Sequence, residues 1–143
     1  LGGMIGGKLG SAASNLFELE LEGLSPEDRE KLTVVSPDTG RVRVADQWSD
    51  SLGAPLAIIH KRRDPNVANQ VTVNEIVGHV AGRVCLLVDD MIDTGGTIAK
   101  AVKVLLDSGA KDVIVAATHG VLSGPAVERL PTCGARRLAS LAC

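Results

Sequence analysis

Short apolar runs and helical repeats alternate along the chain. Leu32-Thr33-Val34-Val35 is apolar and β-branched and stops at Ser36-Pro37-Asp38-Thr39-Gly40, so a strand is predicted with Asp38 just past its carboxyl end. Between Arg41 and Leu52 the apolar residues Val44, Ala45, Trp48 and Leu52 recur at helical spacing, and Gly53 offers a left-handed stop. A second strand, Leu56-Ala57-Ile58-Ile59, runs into the polar stretch from His60 to Gln70, which predicts an exposed, mobile loop. Residues from Val71 to Val77 alternate partly as a strand would, and Gly82 leads into the continuous apolar strand Val84-Cys85-Leu86-Leu87-Val88. Beyond it, Ile98, Ala101, Val102, Leu105 and Leu106 mark a helix that ends at Ser108-Gly109, and Val113-Ile114-Val115-Ala116-Ala117 forms the next strand.

Strands that alternate with helices predict an α/β fold, with a mainly parallel sheet flanked by helices in three layers. In such sheets ligands bind beyond the carboxyl ends of the strands, and Asp38, Lys61, Asp89 and His119 each follow a predicted strand. Ahead of the first strand, Ser25 is suited to cap a short turn with Pro26 at its first position. Residues 1–24 are rich in Gly, Ser and Ala without a sustained period and are expected to be an irregular lead-in. The domain is expected over 25–130, with 131–143 as an atypical tail. The start at Leu1, without methionine, suggests a fragment.

Composition narrows the picture. A chain of 143 residues suits one α/β domain, and with Trp48 and Phe17 as the sole aromatics its core must be aliphatic. A net charge of -2 gives no general attraction to nucleic acid or to an anionic membrane; the one basic cluster is Lys61-Arg62-Arg63. No apolar run reaches the length a transmembrane helix needs. Three cysteines, odd in number and without CxxC spacing, argue against a disulfide framework and a thiolate metal site, which fits a reducing cytoplasm.

The chemistry concentrates after Val88. Asp89-Asp90-Met91-Ile92-Asp93-Thr94-Gly95-Gly96-Thr97 leads from a buried strand into a helix, placing free backbone N–H groups and two hydroxyls around one point. Gly95 and Gly96 let an anion approach the chain, and Thr94 and Thr97 are able to donate hydrogen bonds, a combination suited to a phosphate. Asp89 and Asp90 are placed to accept from sugar hydroxyls or to hold Mg²⁺ through water. A plainer reading makes Asp93 a helix cap and the glycines a tight turn. Neither the GxxxxGK[ST] nor the GxGxxG pattern is present.

Leu86 to Thr97 resembles the phosphoribosyl pyrophosphate loop of type I phosphoribosyltransferase folds. More narrowly, the chain resembles the ribose-phosphate pyrophosphokinase family, through Val35-Ser36-Pro37-Asp38, His60-Lys61-Arg62-Arg63, Ala117-Thr118-His119-Gly120 and Ser123-Gly124-Pro125-Ala126, in that order. The resemblance covers about residues 32–130. It implies a phosphoribosyltransferase-like sheet and transfer of the diphosphoryl group of ATP to ribose 5-phosphate. By the same resemblance, Asp93, Thr94, Gly95, Gly96 and Thr97 hold the 5-phosphate, while Asp89 and Asp90 meet the ribose and Asp38 helps to bind Mg²⁺. Lys61 and Arg63 match the basic residues of the family's catalytic loop, with Arg63 also near ribose 5-phosphate. A homo-oligomer is expected of the full-length family member.

The chain departs from the family in two ways. Nothing corresponds to the family's N-terminal half, which supplies adenine contacts, so isolated activity is not expected. After Leu130 the sequence does not resemble the family's continuing strand and helix. Two other functions fit the loop: a phosphoribosyltransferase acting on a base, for which no aromatic hood is evident, and a non-catalytic regulatory relative, which would have less reason to keep Lys61 and Arg63. Cys85 and Trp48 are expected in the core, His60 and His79 are expected to be structural, and His119 is divided between a nucleotide contact and a strand-end role.

Overall fold

The computed structural model describes residues 23–63, 66, 72–92, 96–120 and 137–142. A short helix α1 (Pro26–Glu30) precedes β1 (Leu32–Ser36); a 3-10 turn (Thr39–Arg41) then leads into α2 (Val42–Leu52). The hairpin strands β2 (Leu56–Arg63) and β3 (Thr72–Val77) come next, followed by β4 (Val84–Ile92), α3 (Gly96–Asp107), β5 (Asp112–Gly120) and β6 (Arg137–Ala142). The six strands lie in the order β3-β2-β1-β4-β5-β6. All neighbours are parallel except β2 and β3. The three-layer α/β architecture expected from the alternation is therefore present.

Period-2 alternation divides the strands between two cores. Val34, Val84, Leu86, Val88 and Ile114 pack with Ala45 and Trp48 of α2, whereas Val35, Cys85, Leu87, Val113 and Val115 pack with Ile98, Ala101, Val102 and Leu105 of α3. Among the described residues, one of these helices thus packs on each face. Burying Leu86 or Leu87 completely contributes about 1.5 to 3 kcal/mol apiece. Leu24 joins the α2-side core beside the Ser25 cap, whose hydroxyl accepts from the Asp28 N–H at 3.1 Å. Gly53 ends α2 in the left-handed region at φ 63°, as its place after the helical repeat predicts.

The structure departs from the sequence expectations where strands outrun their apolar runs. His60-Lys61-Arg62-Arg63 is not a loop but the second half of β2, paired with Glu75, Asn74, Val73 and Thr72. An antiparallel partner supplies the backbone hydrogen bonds, and a ribbon at the sheet edge leaves polar side chains in water. β4 likewise continues four residues past Val88, because β5 still runs beside it: Asp89 pairs with Ala117 and Met91 with His119. Lys61, Asp89 and His119 accordingly lie within strands rather than after them. Leu106, read as part of the buried helical face, is 36% exposed, since its neighbour Leu105 takes the core position. In the expected tail, residues 137–142 form β6 alongside β5, so the sheet extends past residue 130.

Candidate functional site

Strand order reverses between β1 and β4: the chain passes from β1 to β2 on one side, and from β4 to β5 on the other. The carboxyl ends of β1 and β4 flank the resulting crevice, where open α/β sheets take their ligands. Asp38 follows β1 there, half-buried. Its carbonyl accepts from the Ser36 hydroxyl at 2.6 Å and from the Arg41 N–H at 3.3 Å, which folds the turn back on itself. A Cβ at Gly40 would lie 3.2 Å from Asp38 Oδ1, so glycine leaves room beside that carboxylate.

Asp89 stands on the other side of the crevice, only 7% exposed. Arg41 of the 3-10 turn reaches it, Nε lying 3.3 Å from Oδ1. Such pairing offsets the cost of burying the carboxylate. Asp90 follows in β4, while Asp93, Thr94 and Gly95 lie outside the described residues. Gly96 opens α3, and Thr97 in its first turn is exposed.

Beside the crevice is an open, shallow cleft walled by Pro37, Ile59, Lys61, Asn74, Thr97, Lys100, Ala101 and Val104. Two periods meet in that set. Ile59 and Lys61 are two apart in β2, as are Asn74 and Ile76 in β3, and both Ile59 and Ile76 belong to the α3-side core. Thr97, Lys100, Ala101 and Val104 occupy one face of α3 at spacings of three and four. The cleft is the outward continuation of that core, with an apolar floor and a polar rim.

Of the residues expected at the site, Lys61 and Thr97 come together at the cleft, with Asp38 and Asp89 at the neighbouring strand ends. Arg63 ends β2, two residues beyond Lys61. Sequence reasoning passed over Arg41, Asn74 and Lys100. Lys100 was within reach, since it lies one turn beyond Thr97 on the helical period. Asn74 needed the hairpin register that sets it opposite Lys61. Arg41 was counted as the start of α2 and gave no sign of its partner.

Comparison with known proteins bears on the fold and the family. A ribose-phosphate pyrophosphokinase of Streptomyces coelicolor is 75% identical over 103 residues, which are 72% of this chain and 32% of that protein. One of Mycobacterium bovis is 66% identical over 108 residues, 75% of this chain and 33% of that one. This chain spans about a third of the length of these curated relatives. Phosphoribosylpyrophosphate synthetase from Mycobacterium smegmatis superposes with a TM-score of 0.75 at 53% identity, covering 90% of this chain and 40% of that one. Orotate phosphoribosyltransferase from Aeropyrum pernix superposes with a TM-score of 0.65 at 26% identity, covering 94% and 74%. Residues 12–132 match the phosphoribosyl transferase domain family as a whole, and the chain belongs to that family.

Proposed function

We propose that this chain forms part of a ribose-phosphate diphosphokinase, which moves the diphosphoryl group of ATP to ribose 5-phosphate to give phosphoribosyl pyrophosphate and AMP. The observation that carries the reading is the meeting of Lys61 and Thr97 at one cleft, beside Asp38 and Asp89 on the adjacent strand ends. The identity to the Streptomyces and Mycobacterium enzymes supports it.

In this reading the loop from Asp93 to Thr97 holds the 5-phosphate with backbone N–H groups and hydroxyls, and Asp89 and Asp90 accept from the ribose hydroxyls. The anomeric oxygen attacks the β-phosphorus. The bond from that phosphorus to the α-β bridging oxygen breaks, AMP departs with the electron pair, and the hydroxyl gives up its proton to water. Negative charge spreads over the transferring phosphoryl oxygens, where Lys61 and Arg63 stabilise it more than they stabilise bound substrate.

Asp38 suits Mg²⁺: its carboxylate is half-buried at the strand end, with Gly40 leaving space beside it. In this reading the ion is held jointly by Asp38 and by substrate phosphate oxygens. When bound, it supplies charge neutralisation along the phosphate chain. Among the described residues no helix is long and apolar enough to cross a membrane. A cytoplasmic homo-oligomer that includes the remainder of the enzyme is the setting this function implies.

Calorimetric titration with ribose 5-phosphate and Mg²⁺ tests the reading. Binding is expected to weaken strongly in Asp93→Ala and little in Lys61→Ala. Absence of binding by a folded parent chain would overturn it.

A further inference from the structure

We propose that Lys100 is a further cation of the site and that, sharing the cleft with Lys61, it binds a phosphate-chain anion of the diphosphate type. This rests on the reading above and adds to it a residue and a place for the end of the phosphate chain remote from the sugar. The two ammonium groups come from separate elements, β2 and α3, yet line one cleft. Both side chains are exposed, and among the described residues neither meets a carboxylate. Two like charges facing one space, with no counter-charge on it among the described residues, favour an anion between them.

The rest of the wall fits the same ligand. Asn74 stands directly opposite Lys61 in the hairpin and brings an amide donor, and the Thr97 hydroxyl lies one helical turn before Lys100. Ile59 and Ala101 form an apolar floor beneath that rim. Because Thr97 also closes the predicted 5-phosphate loop, the cleft adjoins that loop instead of standing apart from it. A chain of two phosphoryl groups has charge to share between the two cations, which a single phosphate seated in the loop lacks.

The probe is inorganic pyrophosphate, titrated by calorimetry into the chain saturated with ribose 5-phosphate. Parent, Lys100→Gln, Lys100→Arg and Lys103→Gln are compared, with circular dichroism confirming that each is folded. Lys103 is exposed on the same helix but outside the cleft, so its substitution removes equal charge without touching the wall. Lys100→Gln is expected to weaken pyrophosphate binding about fivefold or more, with Lys103→Gln and Lys100→Arg near the parent. Ribose 5-phosphate affinity is expected to be equal in all four.

Unchanged pyrophosphate affinity in Lys100→Gln, or an equal loss in Lys103→Gln, would overturn the assignment. So would absence of pyrophosphate binding by a parent that does bind ribose 5-phosphate. If the parent ignores ribose 5-phosphate yet binds pyrophosphate in a Lys100-dependent way, the sugar-phosphate reading falls and the assignment of Lys100 stands. If a folded parent binds neither, both fall.

Discussion

Arg41 and Asp89 join the two sides of the switch point: the guanidinium Nε, from the turn after β1, lies 3.3 Å from a carboxylate oxygen near the end of β4. Asp89 is nearly buried and Arg41 about half-exposed, so the arginine serves the acid more than the reverse. Arg41→Ala therefore leaves a carboxylate with less support at the place proposed for the ribose hydroxyls. Ribose 5-phosphate binding is expected to weaken about five- to tenfold, roughly 1 to 1.4 kcal/mol, with Arg41→Lys recovering part of the loss. Calorimetry on the three proteins checks this, and equal affinity for parent and Arg41→Ala would refute it.

Gly78 is a different kind of constraint. Its φ is +117°, and a Cβ there would meet Ala57 Cβ at 2.8 Å and Ala57 Cα at 2.9 Å, where the end of β3 turns against the start of β2. Backbone conformation and space both oppose a side chain. Gly78→Ala is expected to cost about 2 to 4 kcal/mol in urea denaturation, since overpacking and a disfavoured backbone region each contribute. Gly53→Ala, with φ +63° and nothing within 4 Å, isolates the conformational part and should cost about 1 to 2 kcal/mol.

Cys85 is buried in β4, and that burial pushes its thiol pKa up to about 12 from 9.0, against an opposing pull from Arg83. Well below pH 9 the thiol is almost wholly protonated whether the chain is folded or not, so its contribution is nearly constant. Between about pH 9 and about 12 the unfolded chain loses this proton and the folded chain keeps it, so stability falls as pH rises, by up to about 1.4 kcal/mol per pH unit from this group. Denaturation at several pH values should show a shallower alkaline decline in Cys85→Ala than in the parent. At pH 8, peptide mapping after iodoacetamide treatment should find Cys85 unmodified in the folded chain and alkylated after unfolding.

Two ion pairs of similar composition are expected to differ in worth. Lys111 Nζ lies 2.5 Å from Oδ1 of the largely buried Asp28, tying α1 to the start of β5. Arg62 Nη1 and Glu75 Oε1, 3.2 Å apart on the β2–β3 ribbon, are both well exposed. Lys111→Ala should lower stability by about 1 to 3 kcal/mol, because a carboxylate stays behind with less compensation. Arg62→Ala should change it by less than about 1 kcal/mol. Urea midpoints of the two variants decide between this ranking and its reverse.

Much of the fold was legible because the apolar periods are unambiguous. Val84 to Val88 could only be a strand buried on both faces, Val44, Ala45 and Trp48 could only share a helix face, and Gly53 marked where that helix stops. The Asp89 to Thr97 segment reads as an anion loop from residue type, glycines and threonines before a helical repeat, with a helix cap and a tight turn as the plainer reading; its residues 93–95 lie outside the described residues. These are local properties, readable wherever neighbouring residues in the chain are also neighbours in space.

What only the tertiary structure decided depends on partners distant in sequence. Lys61 reads as a loop residue until β3 lies antiparallel beside it, with Asn74 opposite in the register. Asp89 reads as the first residue after a strand until β5 extends the ladder past it, and Arg41 reads as the first turn of a helix until it reaches that acid. Residues 137–142 lack the family's pattern, yet a free edge on β5 takes them as a sixth strand. Polar residues carry no period of their own to announce such pairings. The sequence by itself determined which segments bury their side chains and which residues have the chemistry for a phosphate; hydrogen bonding between remote strands decided where those residues stand, because backbone groups must be satisfied whatever side chains they bear.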